Sequence, residues 1–323
     1  MPVVLYINHV DSEVCMSRKV LLATEKPFAK VAVDGIQKIF DEAGYTLAKL
    51  EKYADKADLL KAVADVDALI IRSDKVTADV MAAAPNLKIV VRAGAGYDNI
   101  DLKAATERGI CAQNTPGQNS NAVAELAFGL MLYLARNRFI EGNGFELRGK
   151  KLGIHAYGNV GRYVARIAAG FGMETYAYDA FVSADDIRKD GVIPCATAEE
   201  LYRTCDVVSL HIPANDQTRK SIGHALLSSM KKGAMLINTA RKEVMDEDAL
   251  KAVMAEREDF RYATDIAPDC HAELIEKYAN RYHATKKKMG AETSEANINA
   301  GLAAARQIVA FFEKNDRTFQ VNK

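Results

Sequence analysis

The residues best suited to chemistry in this chain stand just after its apolar runs. Leu152 to Ala156 is a short run suited to a buried parallel strand, and it breaks at Tyr157-Gly158-Asn159-Val160-Gly161. Val160, Val164, Ile167, Ala168 and Phe171 then recur at helical spacing until Gly170 and Gly172. A second run, Glu174 to Tyr178, closes on Asp179, 18 residues after Gly161. A strand, a glycine turn, a helix and a strand ending in an acid can hold a dinucleotide. Gly158 lets the backbone approach a pyrophosphate, Gly161 lets the helix pack on the strand, and the helix N-terminus turns N–H groups and partial positive charge towards the phosphates. Asp179 stands where a carboxylate accepts from both ribose hydroxyls and repels a 2′-phosphate, so NAD is expected over NADP. The turn departs from G-x-G-x-x-G in its first glycine, which is Ala156.

Other polar residues follow other runs in the same way. Val207–Leu210 leads into His211-Ile212-Pro213, with Thr218 in the loop beyond. Ala234–Ile237 leads into Asn238-Thr239-Ala240-Arg241, Tyr262–Thr264 into Asp265, and Tyr282–Ala284 into Lys286-Lys287-Lys288-Met289-Gly290. Ligands of open parallel sheets bind outside the carboxyl ends of the strands, so these residues are expected on one rim with the glycine turn, around the nicotinamide. Earlier in the chain, Arg72 leaves the run Ala68–Ile71, Arg92 leaves Ile89–Val91, and Gly94-Ala95-Gly96 follow. Loop N–H groups beside two guanidiniums form an anion site, with surface ion pairs as the plainer alternative for each arginine.

The elements that position these residues alternate between strand and helix from Lys19 onward, which implies an α/β protein of parallel sheets covered by helices. A chain of 323 residues is expected to form two domains. The helix expected from Ala122 to about Asn137 is apolar almost all round, Glu125 excepted, so it must be buried between domains or in a subunit interface, with Arg136 at its end. The helix expected from Thr293 to Lys314 is long enough to return to the first domain. Lys+Arg and Asp+Glu both total 43, a balance that does not suit nucleic acid or an anionic membrane. The five cysteines lack metal or C-x-x-C spacing and read as reduced thiols of a cytoplasmic protein with no metal site. A clean domain opening begins at Arg18. Residues 1–15 therefore read as an extension or the product of an upstream start codon, and a chain beginning at Met16 is expected to fold.

Arg92 to Asp101, Asn114-Thr115-Pro116 with Ala124-Glu125, the glycine turn, Ile237 to Arg241 and Met289 to Ala296 resemble the D-2-hydroxyacid dehydrogenase family. The resemblance covers nearly the whole chain from Lys19. It implies a Rossmann NAD domain, 99–291, inserted into a flavodoxin-like substrate domain, 1–98 and 292–323, with the site in the cleft and a homodimer through the NAD domain. It also implies a short form, without a regulatory domain. The implied reaction is reversible hydride transfer between C2 of 3-phosphoglycerate and NAD, opening serine biosynthesis. Reduction of glyoxylate, hydroxypyruvate or another 2-oxo acid is the alternative, and a non-enzymatic NAD-binding regulator is a third reading. By this resemblance Arg241 holds the carboxylate and C2 oxygen, shared with the amides of Gly94, Ala95 and Gly96, and Lys288 takes the hydroxyl proton. Asp265 orients the carboxamide. Arg72, Arg92 and Arg136, the last from a partner subunit, take the phosphate. Two positions depart from the family pattern. Its histidine is Lys288, as in a lysine-bearing subset of short members, and its glutamate is Cys270, with Asp269 adjacent. A lysine base needs a lowered pKa, which Arg241, Lys286 and Lys287 would favour by like-charge repulsion, and Asp269 must point away. His271 and His283 fall outside the motif register and read as ordinary polar residues.

Overall fold

The structure, a computed structural model, describes residues 17–323. The expected extension, residues 1–15, lies outside the described residues. The chain divides into two compact units.

The first unit contains β1 (Lys19–Thr24), β2 (Thr46–Glu51), β3 (Ala68–Ile71), β4 (Ile89–Arg92) and β5 (Cys111–Asn114). They form one parallel sheet in the order β2-β1-β3-β4-β5. Every residue of β3 is buried, as a strand covered on both faces requires. This unit runs to Thr115 and takes up Gly301–Lys323, whereas the resemblance implies breaks at 98 and 292. The physical reason is β5, which pairs with β4 in register from Ile89↔Cys111 and so draws the preceding segment into this sheet. The helix Ser294–Lys314 meets the helix Lys30–Glu42 at a pair of glycines. A Cβ on Gly35 would stand 2.6 Å from Leu302, and one on Gly301 would stand 3.1 Å from Ile36 and Phe28. Beyond that helix, Val321 N–H donates to Ala112 O at 2.9 Å and Asn322 bonds the backbone of Ala112 and Ile110, which covers the open edge of β5.

The second unit, Pro116–Ala300, contains β6 (Lys151–His155), β7 (Glu174–Tyr178), β8 (Ile193–Pro194), β9 (Val207–Leu210), β10 (Met235–Asn238), β11 (Arg261–Thr264) and β12 (Tyr282–Ala284). Their order is β12-β11-β10-β9-β6-β7-β8. The chain runs outward from β6 to β8 and then returns to the other side of β6 at β9. That reversal is the topological switch point where ligands of doubly wound sheets bind. Neighbours along the strands enter opposite core clusters, Val208 and Leu236 on one face, Val207, Met235 and Ile237 on the other. The apolar helix spans Ser120–Ala135 and packs within this unit, its Phe128 ring stacked on Phe171 at 4.9 Å. Its exit is a left-handed turn, with φ of 49°, 61° and 59° at Asn137, Arg138 and Phe139.

Candidate active site

The turn after β6 begins with a conformation that suits glycine. Ala156 has φ of 80°, a left-handed backbone that costs a side-chain-bearing residue about 1–2 kcal/mol. Ala156→Gly is therefore expected to raise the unfolding free energy by roughly 0.5–1 kcal/mol, after glycine's own entropy loss, as read from denaturant midpoints. Gly161 is packed tight, since a Cβ there would stand 2.5 Å from Ala156 O and 3.0 Å from Ile154. Gly158 is different. A Cβ there would meet no protein atom within 4 Å, so the fold does not demand glycine, whereas a phosphate against the backbone does. No side chain caps the helix Asn159–Gly170 that starts here. Tyr157 gives the turn only its backbone: its ring is fully buried, its hydroxyl donates to Asp190 at 3.1 Å, and burial with that carboxylate pushes its pKa up to about 12. Asn159 lies against Gly117, and Val160 is half-buried against the core.

Asp179 ties the exit of β7 to this turn. Its Oδ2 accepts from Tyr157 N–H at 2.6 Å, and its Oδ1 from Phe181 and Val182 N–H at 2.7 and 2.9 Å. Carboxylate oxygens keep further lone pairs for ribose hydroxyls. Asp179→Ala is expected to narrow the preference for NAD over NADP and to weaken both, because three backbone donors lose their acceptor. Equal Kd values for the two dinucleotides in the unmutated protein would remove this reading of the acid.

The exits of β9 and β10 meet at His211. Its Nε2 bonds Ser209 Oγ at 2.9 Å and its Nδ1 bonds Thr239 Oγ1 at 3.3 Å. Burial pushes its pKa down to about 3, so the ring is neutral at working pH. His155, at the end of β6, is pushed down to about 4 for the same reason and bonds Tyr202 at 3.2 Å. The loop after His211 is closed by Thr218, whose hydroxyl donates to Pro213 O at 2.5 Å; Ile212 is buried. Asn238, 2% exposed, accepts from Ala240 N–H and donates to Arg241 O, forming a turn on which Thr239 and Ala240 are buried and Arg241 is exposed.

Asp265 is 1% exposed and holds the loop that bears Lys288. Its Oδ1 accepts from Met289 N–H at 2.7 Å and its Oδ2 from Gly290 N–H at 2.9 Å. A Cβ on Gly290 would stand 3.0 Å from that Oδ2 and 3.2 Å from Val123, so a larger residue would press on the carboxylate. The single hydroxyl proton of Thr285, which the sequence did not single out, is shared between Asp265 O at 2.6 Å and Lys287 O at 2.8 Å. Lys288 is exposed on the loop so formed.

The neighbourhood of Cys270 is organised by another residue the sequence left unremarked. Glu247 accepts from the backbone N–H of Asp269 at 2.9 Å and of Cys270 at 2.8 Å. Burial, reinforced by Glu247, pushes the Cys270 thiol up to about 12, so it is protonated. Asp269 pairs with Lys242. His271 bonds Tyr282 at 2.8 Å, and the His283 ring lies 4.5 Å from that of Tyr133.

In the first unit, Arg72 and Arg92 form one cluster. Arg72 lies over the Phe28 ring at 5.1 Å and donates to Lys26 O at 3.3 Å. Arg92 Nε donates to Arg72 O at 3.1 Å, and its guanidinium crosses Gly94, where a Cβ would stand 1.7 Å from Nη1. Ala95 O accepts from Asn114 at 2.7 Å, and Gly96 lies beside Asp98. Arg136 belongs to the second unit, exposed at the end of Ser120–Ala135.

Residues 132–285 match the NAD binding domain of the D-isomer specific 2-hydroxyacid dehydrogenases. The hydroxypyruvate reductase of Thermotoga maritima is 41% identical over 213 residues, 62% of this chain and 68% of that protein. The chain belongs to the D-isomer specific 2-hydroxyacid dehydrogenase family. Like other members of this family it is an NAD-dependent oxidoreductase, built from two parallel-sheet α/β units. The D-3-phosphoglycerate dehydrogenase of Methanocaldococcus jannaschii is 36% identical over 84% of this chain and 54% of its own length. The chain spans about half the length of the curated D-3-phosphoglycerate dehydrogenases it matches. The NAD-bound 3-phosphoglycerate dehydrogenase of Entamoeba histolytica has a TM-score of 0.81 and 45% identity over 95% of this chain and 99% of its own. Among the described residues no helix is long and apolar enough to cross a membrane.

Proposed function

We propose that this dehydrogenase oxidises 3-phosphoglycerate reversibly to 3-phosphohydroxypyruvate, the first step of serine synthesis. The observation that carries this reading is the Arg72–Arg92–Gly94 cluster, in which the Arg92 guanidinium crosses a glycine loop and donates to the backbone carbonyl of a second arginine, Arg72. A carboxylate already served by Arg241 does not need them, whereas a phosphate uses several charge-assisted donors. The names of the relatives from Methanocaldococcus jannaschii and Entamoeba histolytica support the same substrate.

NAD, when bound, supplies the hydride acceptor. The turn Tyr157–Gly161 and Asp179 hold its pyrophosphate and ribose, and His211, Thr239, Asp265 and Gly290 border its nicotinamide end. Arg241 holds the substrate carboxylate and C2 oxygen, and Lys288 takes the C2 hydroxyl proton. The first unit serves as the substrate domain and the second as the NAD domain. The protein acts in the cytoplasm as a homodimer through the second unit. Phe139, 70% exposed, and Ile140, 59% exposed, support that interface, and Arg136 beside them reaches the partner's substrate.

The test is loss of NADH absorbance with phosphohydroxypyruvate, hydroxypyruvate and glyoxylate in turn. The phosphorylated acid is expected to give the highest kcat/KM. Arg72→Ala is expected to cost it about 1–3 kcal/mol, the scale of hydrogen bonds to charged groups, and the others much less. A second reading, reduction of hydroxypyruvate or glyoxylate, is favoured by the names of relatives 41% and 37% identical. It prevails if the unphosphorylated acids are preferred and Arg72→Ala affects all substrates alike.

A further inference from the structure

Two residues beyond Arg72, Asp74 is a carboxylate only 3% exposed. Burying such a group is costly unless its oxygens are satisfied. Oδ1 accepts from Glu25 N–H and from Tyr53 O–H, both at 2.8 Å, and Oδ2 accepts from Arg72 N–H at 3.2 Å. Glu25 follows β1, Tyr53 follows β2 and Arg72 follows β3, so one carboxylate ties three strand exits together. Burial and the Asp74 charge both raise the Tyr53 pKa, which keeps its phenol protonated as a donor.

The other side of the Arg72 peptide is clamped as well. Arg72 O accepts from Arg92 Nε and from Asn99 Nδ2, both at 3.1 Å, and Asn99 Nδ2 also reaches Asp74 O at 2.7 Å. The backbone of Arg72 is therefore held at its N–H by Asp74 and at its C=O by Asn99 and Arg92. Arginine side chains are long and lose rotamer entropy when fixed, so an anion site gains from a root that is already ordered.

We propose that Asp74, with Asn99, is a positioning residue that fixes Arg72 and Arg92 to receive the anionic group of the substrate. This rests on the reading above that the two arginines bind substrate. It also explains the choice of an acid. All three donors need an acceptor, and an asparagine of the same shape would turn its own N–H₂ towards one of them.

The experiment compares the unmutated protein with Asp74→Asn and Asn99→Ala, assayed with NADH and either phosphohydroxypyruvate or hydroxypyruvate. Both variants are expected to raise KM for the preferred acid about tenfold, the scale of one lost charged hydrogen bond. kcat and the NADH Kd, read from NADH fluorescence, are expected to stay within about twofold, because the NADH-binding residues belong to the second unit. Asn99→Ala leaves the Asp74 carboxylate satisfied and covers the case in which Asp74→Asn does not fold. KM unchanged in both folded variants, or kcat and NADH affinity falling together with KM as in a general loss of structure, overturns the proposal. The phosphate reading is scored separately by the unmutated protein. If that protein prefers hydroxypyruvate, the phosphate assignment fails, and the positioning role is then decided by KM for hydroxypyruvate.

Discussion

Lys288→Met is expected to lower kcat by on the order of 10²–10⁴, the usual contribution of a positioned acid–base group, with the NADH Kd unchanged. Methionine keeps the length and apolar stem of lysine but cannot move a proton. The loop supports the assignment, because Asp265 and Thr285 fix the backbone on either side of Lys288. The alternatives nearby are otherwise engaged: Asp269 pairs with Lys242, the Cys270 thiol is held protonated and His271 bonds Tyr282. The pH dependence has a definite sign. Oxidation of the hydroxy acid needs the neutral amine, and an ordinary lysine ammonium loses its proton only near ~10.4, so oxidation should accelerate towards alkaline pH. Reduction of the oxo acid needs the ammonium and should be favoured as pH falls. Lys288→Met should flatten both limbs in steady-state profiles. Near-normal turnover in the variant would transfer the role elsewhere, with His271 and Asp269 next to be replaced. Cys270→Glu is expected to disturb this region rather than improve it, because it sets a second carboxylate beside Glu247.

Much of this arrangement is legible in the amino-acid sequence, for a physical reason. Strands buried on both faces read as apolar runs, so β3, β4, β6, β9 and β10 stand out, and polar residues just past such strands fall on one edge of the sheet. The strand β5 does not stand out. Its sequence is Cys-Ala-Gln-Asn, and the buried Gln113 is satisfied by Asp316 O, 203 residues away. The edge strand β2 is equally silent because half of its residues are exposed. The departure at Ala156 is visible as a letter, but its left-handed backbone is not. The partners of Asp74, Asp179 and Asp265 are also hidden. Each carboxylate accepts mainly backbone N–H groups, which nearly every residue carries, so no side-chain pattern announces them.

Asp265 shows how much can depend on such a pairing. Asp265→Ala would leave the N–H groups of Met289 and Gly290 without their acceptor. With about 1–3 kcal/mol for the buried Gly290 donor and about 1 kcal/mol for the part-buried Met289 donor, a loss of roughly 2–4 kcal/mol is expected, seen as a lower midpoint in thermal or denaturant melts. Asp265→Asn keeps the volume, and one oxygen can still accept from Met289. Its amide N–H₂ must then face Gly290 N–H, a donor against a donor, so the loop should loosen with a smaller stability loss. The kinetic effect should exceed the structural one, because Lys288, the proposed base, is carried between the two anchors. A drop in kcat of on the order of 10²–10³ is expected for Asp265→Asn, since small misplacements of a catalytic group have costs of this size. A double variant with Lys288→Met separates the explanations. If Asp265 acts by placing Lys288, the pair should be hardly slower than Lys288→Met alone, because the second change removes an arrangement already without use. If the losses multiply, Asp265 also acts other than through Lys288, as it would by holding the cofactor, and the double variant should then bind NADH more weakly than Lys288→Met does.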